Sequence, residues 1–302
     1  GDAMSRLNLS GVLDNAGQTI RTDDFGGVFA FEAGRINGGT LEIAAGSSVD
    51  ISSSGSNILD GVAVVGDLAL TGSTSTIVFR NGTSVSGEVL FDGNNGRLAL
   101  DDTQTFDGQI RQVSGNRGSV SIERSGATVT LGASSTVTGS RIDIGSAIIA
   151  GGDRSLVNEG TITAEGANAT GVRVFAINEF TNNGTIAATM DGRFNMLSST
   201  GVFTNNASIT GDANTDVTIG AAAWTNSAGA DITSTGGAVT LSGNWQNDGQ
   251  ISVTNGTLTL GGAFATADIG VTDGRLDRTG SALNISGTVD NTADTIDTAT
   301  LG

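Results

Sequence analysis

The 302-residue chain contains no cysteine, proline, histidine, tyrosine or lysine. Without cysteine there are no disulfides and no thiolate chemistry. Without histidine, lysine and tyrosine, a general acid or base would have to be a carboxylate or an arginine. The absence of proline suits a chain made almost entirely of paired strands, because each proline removes a ladder donor. Aromatics make up 4% and hydrophobic residues 37%, the latter below the usual ~45–50% of globular domains. No apolar run approaches the ~20 residues of a membrane-spanning helix. Cationic charge is scarce as well. All 14 basic residues are arginine, against 31 acidic ones, and the formal net charge of −17 disfavours nucleic acid and anionic lipid as partners.

What is present is turn chemistry, with 47 glycines and abundant Ser, Thr, Asn and Asp between short alternating Val, Ile and Leu runs. One phrase recurs: Leu156-Val-Asn-Glu-Gly-Thr-Ile162, Phe180-Thr-Asn-Asn-Gly-Thr-Ile186, Phe203-Thr-Asn-Asn-Ala-Ser-Ile209, Trp224-Thr-Asn-Ser-Ala-Gly-Ala-Asp-Ile232 and Trp245-Gln-Asn-Asp-Gly-Gln-Ile251. Its starts lie 24, 23, 21 and 21 residues apart. A fixed period near 20 in a strand-rich chain predicts a solenoid. About three strand signals fall in each period. Trp224–Asn226, Asp231–Ser234 and Ala238–Ser242 form one set; Trp245–Asn247, Gln250–Val253 and Thr257–Leu260 form the next. Similar signals occur earlier, at Thr40–Ile43, Glu88–Phe91, Ser119–Ile122 and Thr128–Leu131. No stretch reads as helix. The expectation is an all-β parallel β-helix of about three short strands per coil, roughly 14 coils and a rod of about 65 Å. Gly151-Gly-Asp-Arg154 and Met190–Met196 interrupt the phasing and are expected to form a bulge or side loop.

Gly1-Asp2-Ala3-Met4 reads as a cloning remnant, leaving residues 5–302 as one β-helix. A longer period lies above the short one. Leu7–Thr22 matches Leu283–Thr298 at nine of 16 positions with an offset of 276. The parent protein is therefore expected to consist of tandem modules of about 276 residues, neighbouring modules being partners of this one.

These phrases, together with Leu13-Asp-Asn-Ala-Gly-Gln-Thr-Ile20, Gly38-Gly-Thr-Leu41 and Gly256-Thr-Leu-Thr-Leu-Gly-Gly262, resemble filamentous-haemagglutinin-like and autotransporter-like bacterial adhesins. The resemblance covers nearly the whole chain and is carried by repeats. It implies a right-handed parallel β-helix, export to the cell surface or medium, and service as a stalk or adhesive toward host-cell, bacterial or glycan surfaces. The secretion-signal domain of two-partner haemagglutinins and a translocator barrel are not recognisable.

The repeated asparagines Asn158, Asn182, Asn205, Asn226 and Asn247, with Asn15 and Asn291, are expected to form a ladder of side-chain amides at one corner. Phe180, Phe203, Trp224 and Trp245 share one phase and are expected to stack in the core; facing outward they would form a sugar-stacking platform. Phe29 and Phe31 share a face and are also read as core. Paired acids occur at Asp23-Asp24 and Asp101-Asp102, but no acid cluster repeats across neighbouring coils, so no enzyme is expected. No cofactor is expected either. A structural calcium is the one alternative, although neither the Gly-Gly-x-Gly-x-Asp repeat nor an Asp-x-Asp-x-Asp-Gly loop is present. Thr161-Ile-Thr163 and Thr257-Leu-Thr259 suggest an ice- or mineral-binding face, but their phases are read as not recurring. The leading reading is a non-catalytic stalk or adhesion module. The alternative is a carbohydrate-binding or polysaccharide-degrading β-helix.

Overall fold

The computed structural model describes residues 6–25, 28–145, 152–197, 201–270 and 275–292. It is all-β, 57% strand, with parallel sheets stacked as a β-solenoid of about 12 turns of roughly 23 residues. Two single-turn 3-10 segments, Thr22–Phe25 and Thr266–Ile269, are the only helical pieces among the described residues. The chain divides into two compact units, Gly1–Arg154 and Ser155–Gly302.

Strands come in threes, and most pair in parallel with the strand three further along; Val49–Ile51 and Ser84–Val85 end their sheets. In the first unit Arg6–Leu9 pairs with Val28–Phe31, which pairs with Val49–Ile51. Val12–Asp14 likewise pairs with Arg35–Asn37, and Thr19–Arg21 with Thr40–Glu42. Alternation sends every second side chain inward. Phe29, Phe31, Leu41, Phe79, Phe91 and Ile122 are fully or almost fully buried. Each contributes on the order of 1.5–3 kcal/mol by leaving water.

The second unit has three walls. The first holds Thr185–Thr189, Ser208–Gly211, Asp231–Thr235 and Gln250–Thr254; its inward column is Ile186, Ile209, Ile232 and Ile251, all 0% exposed. The second holds Arg193–Met196, Asp216–Ile219, Ala238–Leu241 and Thr257–Leu260. The third holds Glu179–Asn182, Val202–Asn205, Ala223–Asn226, Asn244–Asn247, Ala263–Ala265 and Thr288–Asp290.

Three sequence expectations are corrected. Coils are fewer and longer than a 21-residue period allows, because corner length varies. The pairing offset runs from 19 (Asp231 with Gln250) to 27 (Gln109 with Thr136). Met190–Met196 is no side loop. Arg193–Met196 pairs in register on both sides, and left-handed backbone at Met190 (φ 50°) and Asp191 (φ 62°) turns the corner before it. Threonines do recur in phase, as Thr181, Thr204 and Thr225 on the third wall and Thr218, Thr240 and Thr259 on the second. Thr181, Thr204 and Thr225 already belong to the repeated phrase, whereas Thr218, Thr240 and Thr259 line up only once pairing is known. Of the expected interruption at Gly151–Arg154, Gly151 lies outside the described residues. So do Gly1–Met4 and the final part of the 283–298 match.

Corners also explain the glycines. Gly243 has φ 91°, and a Cβ there would lie 1.9 Å from the Ala221 carbonyl oxygen one coil back. Gly229 has φ 85° with nothing within 4 Å. Gly229→Ala is expected to cost about 1–2 kcal/mol from backbone strain alone. Gly243→Ala is expected to cost about 3 kcal/mol or more, because overpacking is added to strain. Urea titration of the two variants checks this; equal losses would contradict the close approach.

Candidate functional site: amide ladder, ring column and outer trough

The five phrase asparagines end consecutive third-wall strands and point inward, each 0% exposed. Parallel pairing without a register shift places Asn158 on Asn182, Asn182 on Asn205, Asn205 on Asn226 and Asn226 on Asn247. Each Nδ2 donates to the next Oδ1, at 2.8, 2.8, 2.7 and 2.7 Å in chain order. Each inner rung also reaches a backbone carbonyl, such as Ala207 O at 3.0 Å from Asn205. At the two ends, Asn158 Oδ1 and Asn247 Nδ2 have no hydrogen-bond partner among the described residues. The ladder stops after Asn247 because the next coil reads Ala263-Phe-Ala-Thr266.

Asn15 is no part of such a ladder. The strand pairing ends one residue earlier, at Asp14 with Asn37, and the Asn15 amide donates to the carbonyls of Gln18 and Thr40 at 3.1 and 3.2 Å. Asn291 is exposed.

Two residues before each ladder asparagine from Asn182 onward, a ring packs into the core. Phe180 and Phe203 stack at 5.0 Å and 24°. Trp224 and Trp245 stack at 5.4 Å and 15°, and Trp245 and Phe264 at 4.5 Å and 19°. None of the five is more than 5% exposed. Each indole N–H finds a carbonyl ahead of it in the chain: Trp224 Nε1 donates to Ser242 O at 2.8 Å and Trp245 Nε1 to Gly261 O at 2.9 Å. Phe264 extends the column beyond the residues that the phrase picks out, because its coil lacks the asparagine; its spacing of 19 residues from Trp245 is the signal that remains.

The Asp101-Asp102 pair is tied into ion pairs between coils. Asp101 binds Arg80 at 2.5 Å, one coil back, and Asp102 binds Arg124 at 2.8 Å, one coil forward. Asp23 lies 3.4 Å from Arg21. The same arrangement joins Arg111 to Glu88, Arg193 to Asp216, Arg35 to Asp60, Arg97 to Glu123 and Arg117 to Asp143. Burial holds the Arg97 guanidinium below its ordinary value, with Glu123 opposing the shift. Arg6 is exposed and is raised by its bonds to Asp50 and Glu32. Most pairs are half-exposed and worth little. Asp143, however, is 0% exposed. Arg117→Ala removes an ion-pair partner of this fully buried carboxylate and is expected to cost more than Arg97→Ala, whose partner Glu123 retains some contact with water. Urea midpoints of the two variants provide the check.

Outside the ring column the third wall carries an open trough of about 530 Å³. Asn244, Gln246, Thr225, Thr288, Asp268 and Asp290 line it, over Ala223, Ala263 and Ala265. The Thr292 hydroxyl and N–H donate to Asp290 Oδ1 at 2.7 and 3.0 Å and hold its carboxyl below the usual carboxylate range. Among the described residues no group of three or more acidic, histidine or cysteine side chains could hold a metal ion, and no helix is long and apolar enough to cross a membrane. No protein-family model, curated protein or solved structure matches this chain.

Proposed function

We propose that this chain is a non-catalytic structural and adhesive segment of a large bacterial cell-surface or secreted protein, serving as a stiff β-helical stalk. The observation that carries the reading is the coil-to-coil linkage of the second unit. Amide ladder, stacked rings and ion pairs join each coil to the next along the same direction. Load along that direction is shared by many backbone and side-chain bonds at once, which is what a spacer requires. Asp101 and Asp102 are each occupied by an arginine rather than set apart as an acid and a base, which favours scaffold over catalyst. The resemblance of the repeat phrases to those of large adhesins supports an extracellular role, with tandem neighbours as partners. Antibody raised against the protein should label intact source cells, and protease shaving should remove the label. Labelling only after lysis would contradict an extracellular role. Release of reducing ends from a panel of polysaccharides would overturn the non-catalytic reading.

The trough favours the second reading, carbohydrate binding, without requiring cleavage.

A further inference from the structure

The trough exists because of a local size pattern. Outward positions of successive third-wall strands carry Asn244 and Gln246, then Ala263 and Ala265, then Thr288 and Asp290. The alanine coil is a dip between two coils with longer side chains. At one side the 3-10 turn Thr266–Ile269 presents Asp268, whose Oδ2 accepts the Ala265 N–H at 2.6 Å and is thereby fixed in place. The volume falls within the ~300–1,000 Å³ of small-ligand sites.

Its polar groups are largely unspent. Among the described residues the Asn244 amide and the Thr225 and Thr288 hydroxyls make no hydrogen bond, and Gln246 uses only its Nε2, to Asp248 at 2.8 Å. The lining therefore offers free amide donors and carbonyl acceptors, hydroxyls that do both, and carboxylate acceptors, above a floor of alanine methyls. Sugar hydroxyls both donate and accept, and sugar ring C–H faces are apolar, so this lining matches them on both counts.

Charge narrows the choice. No arginine lines the trough, and the second unit holds four arginines against 14 acidic residues, a formal −10. Acidic glycans are repelled by such a surface. Because its carboxyl is held below the ordinary range, Asp290 stays charged in mildly acidic solution. Along the coil axis, side chains repeat every ~4.8 Å, a spacing suited to reading one extended chain across three coils.

We propose that this trough binds a short stretch of neutral oligosaccharide lying across the coils of Asn244, Ala263 and Thr288. The inference deepens the adhesive reading above and rests on it for its biological role. The rings of Trp224, Trp245 and Phe264 act beneath it as rigid support, not as stacking partners, since all three are buried.

Saturation-transfer NMR on the whole chain tests it, with cellotriose and the N-acetylglucosamine trimer as neutral probes and trigalacturonate as the acidic one. At least one neutral trimer is expected to bind and trigalacturonate is not. Ala263→Arg, which fills the dip, should abolish binding. Asn244→Ala should weaken it about three- to tenfold, the range expected for one lost hydrogen bond. Thr240→Ala, on another wall, should leave it unchanged. No transfer from either neutral trimer at millimolar concentration, binding that survives both trough variants, or preference for trigalacturonate would each overturn the proposal. Beads coated with Ala263→Arg protein separate the two readings. If they still adhere to cells as wild-type beads do, the adhesive reading stands without the trough. If wild-type beads do not adhere while the trimers bind, the trough stands without the adhesive role.

Discussion

Asn205→Ala is expected to lower stability by about 3–4 kcal/mol, because it strands two buried groups that are each worth about 1–3 kcal/mol. Asn205 accepts from Asn182 at 2.8 Å and donates to Asn226 at 2.7 Å, so its removal breaks the ladder on both sides. Asn226 Oδ1 then has no donor, and Asn182 Nδ2 keeps only a 3.4 Å contact to Ser208 O. Asn247→Ala, at the ladder's end, breaks one rung and is expected to cost about 1–2 kcal/mol. The adjacent Asn206 is exposed and bonds to Asn183 at 2.9 Å on the outside, so its alanine variant should stay within ~1 kcal/mol. Asn205→Asp should be worse than Asn205→Ala. It is nearly isosteric, but a carboxylate cannot donate to Asn226, and its charge would be buried. Urea midpoints should therefore rise in the order Asn205→Asp, Asn205→Ala, Asn247→Ala and Asn206→Ala. Equal losses at Asn205 and Asn206 would contradict the ladder.

Trp224→Ala is expected to cost about 3–5 kcal/mol, the range for emptying a large buried aromatic site. The cavity would open between Phe203 and Trp245, and the Ser242 carbonyl would lose its indole donor. Trp224→Phe keeps most of the volume and loses the hydrogen bond, so about 1–2 kcal/mol is expected. These two tryptophans are the only ones in the chain. Stacked at 5.4 Å and 15°, they should couple excitonically and give a paired band in the near-ultraviolet dichroism. Either substitution at Trp224 should remove that band. A near-ultraviolet spectrum that is unchanged in Trp224→Phe would mean the indoles do not stack.

The parts of this fold legible in the sequence are those where successive coils repeat the same residue in the core. Ile186, Ile209, Ile232 and Ile251 each follow a phrase asparagine, and stacking in register needs little beyond that repetition. The first half is harder to read because its coils repeat a role without repeating a residue. Arg35 meets Asp60 and Arg80 meets Asp101 across coils, and neither pair leaves a recurring phrase. Asn57 shows the same limit. It is 0% exposed and ties Ser52 O, Thr76 O and the Ala33 N–H together, yet it stands alone in sequence. Asn15 belongs to a recognisable phrase but bonds to backbone carbonyls instead of a neighbouring amide, so the phrase alone does not make a ladder. The trough is hidden for a different reason. It depends on small residues at Ala263 and Ala265 between larger neighbours, and such a contrast has meaning only after the 19- and 25-residue pairing offsets are known.

Consecutive coils of the second unit are tied by side-chain amides inside the core. Hydrogen exchange of the asparagine side-chain amides, followed by NMR, tests this central claim most directly. Protons on Nδ2 of Asn182, Asn205 and Asn226 should exchange far more slowly than those of exposed Asn206 and Asn244. Asn247, whose Nδ2 has no partner among the described residues, should be the least protected of the five ladder residues. If all five exchange as fast as Asn206, the ladder does not exist in solution and the claim is wrong.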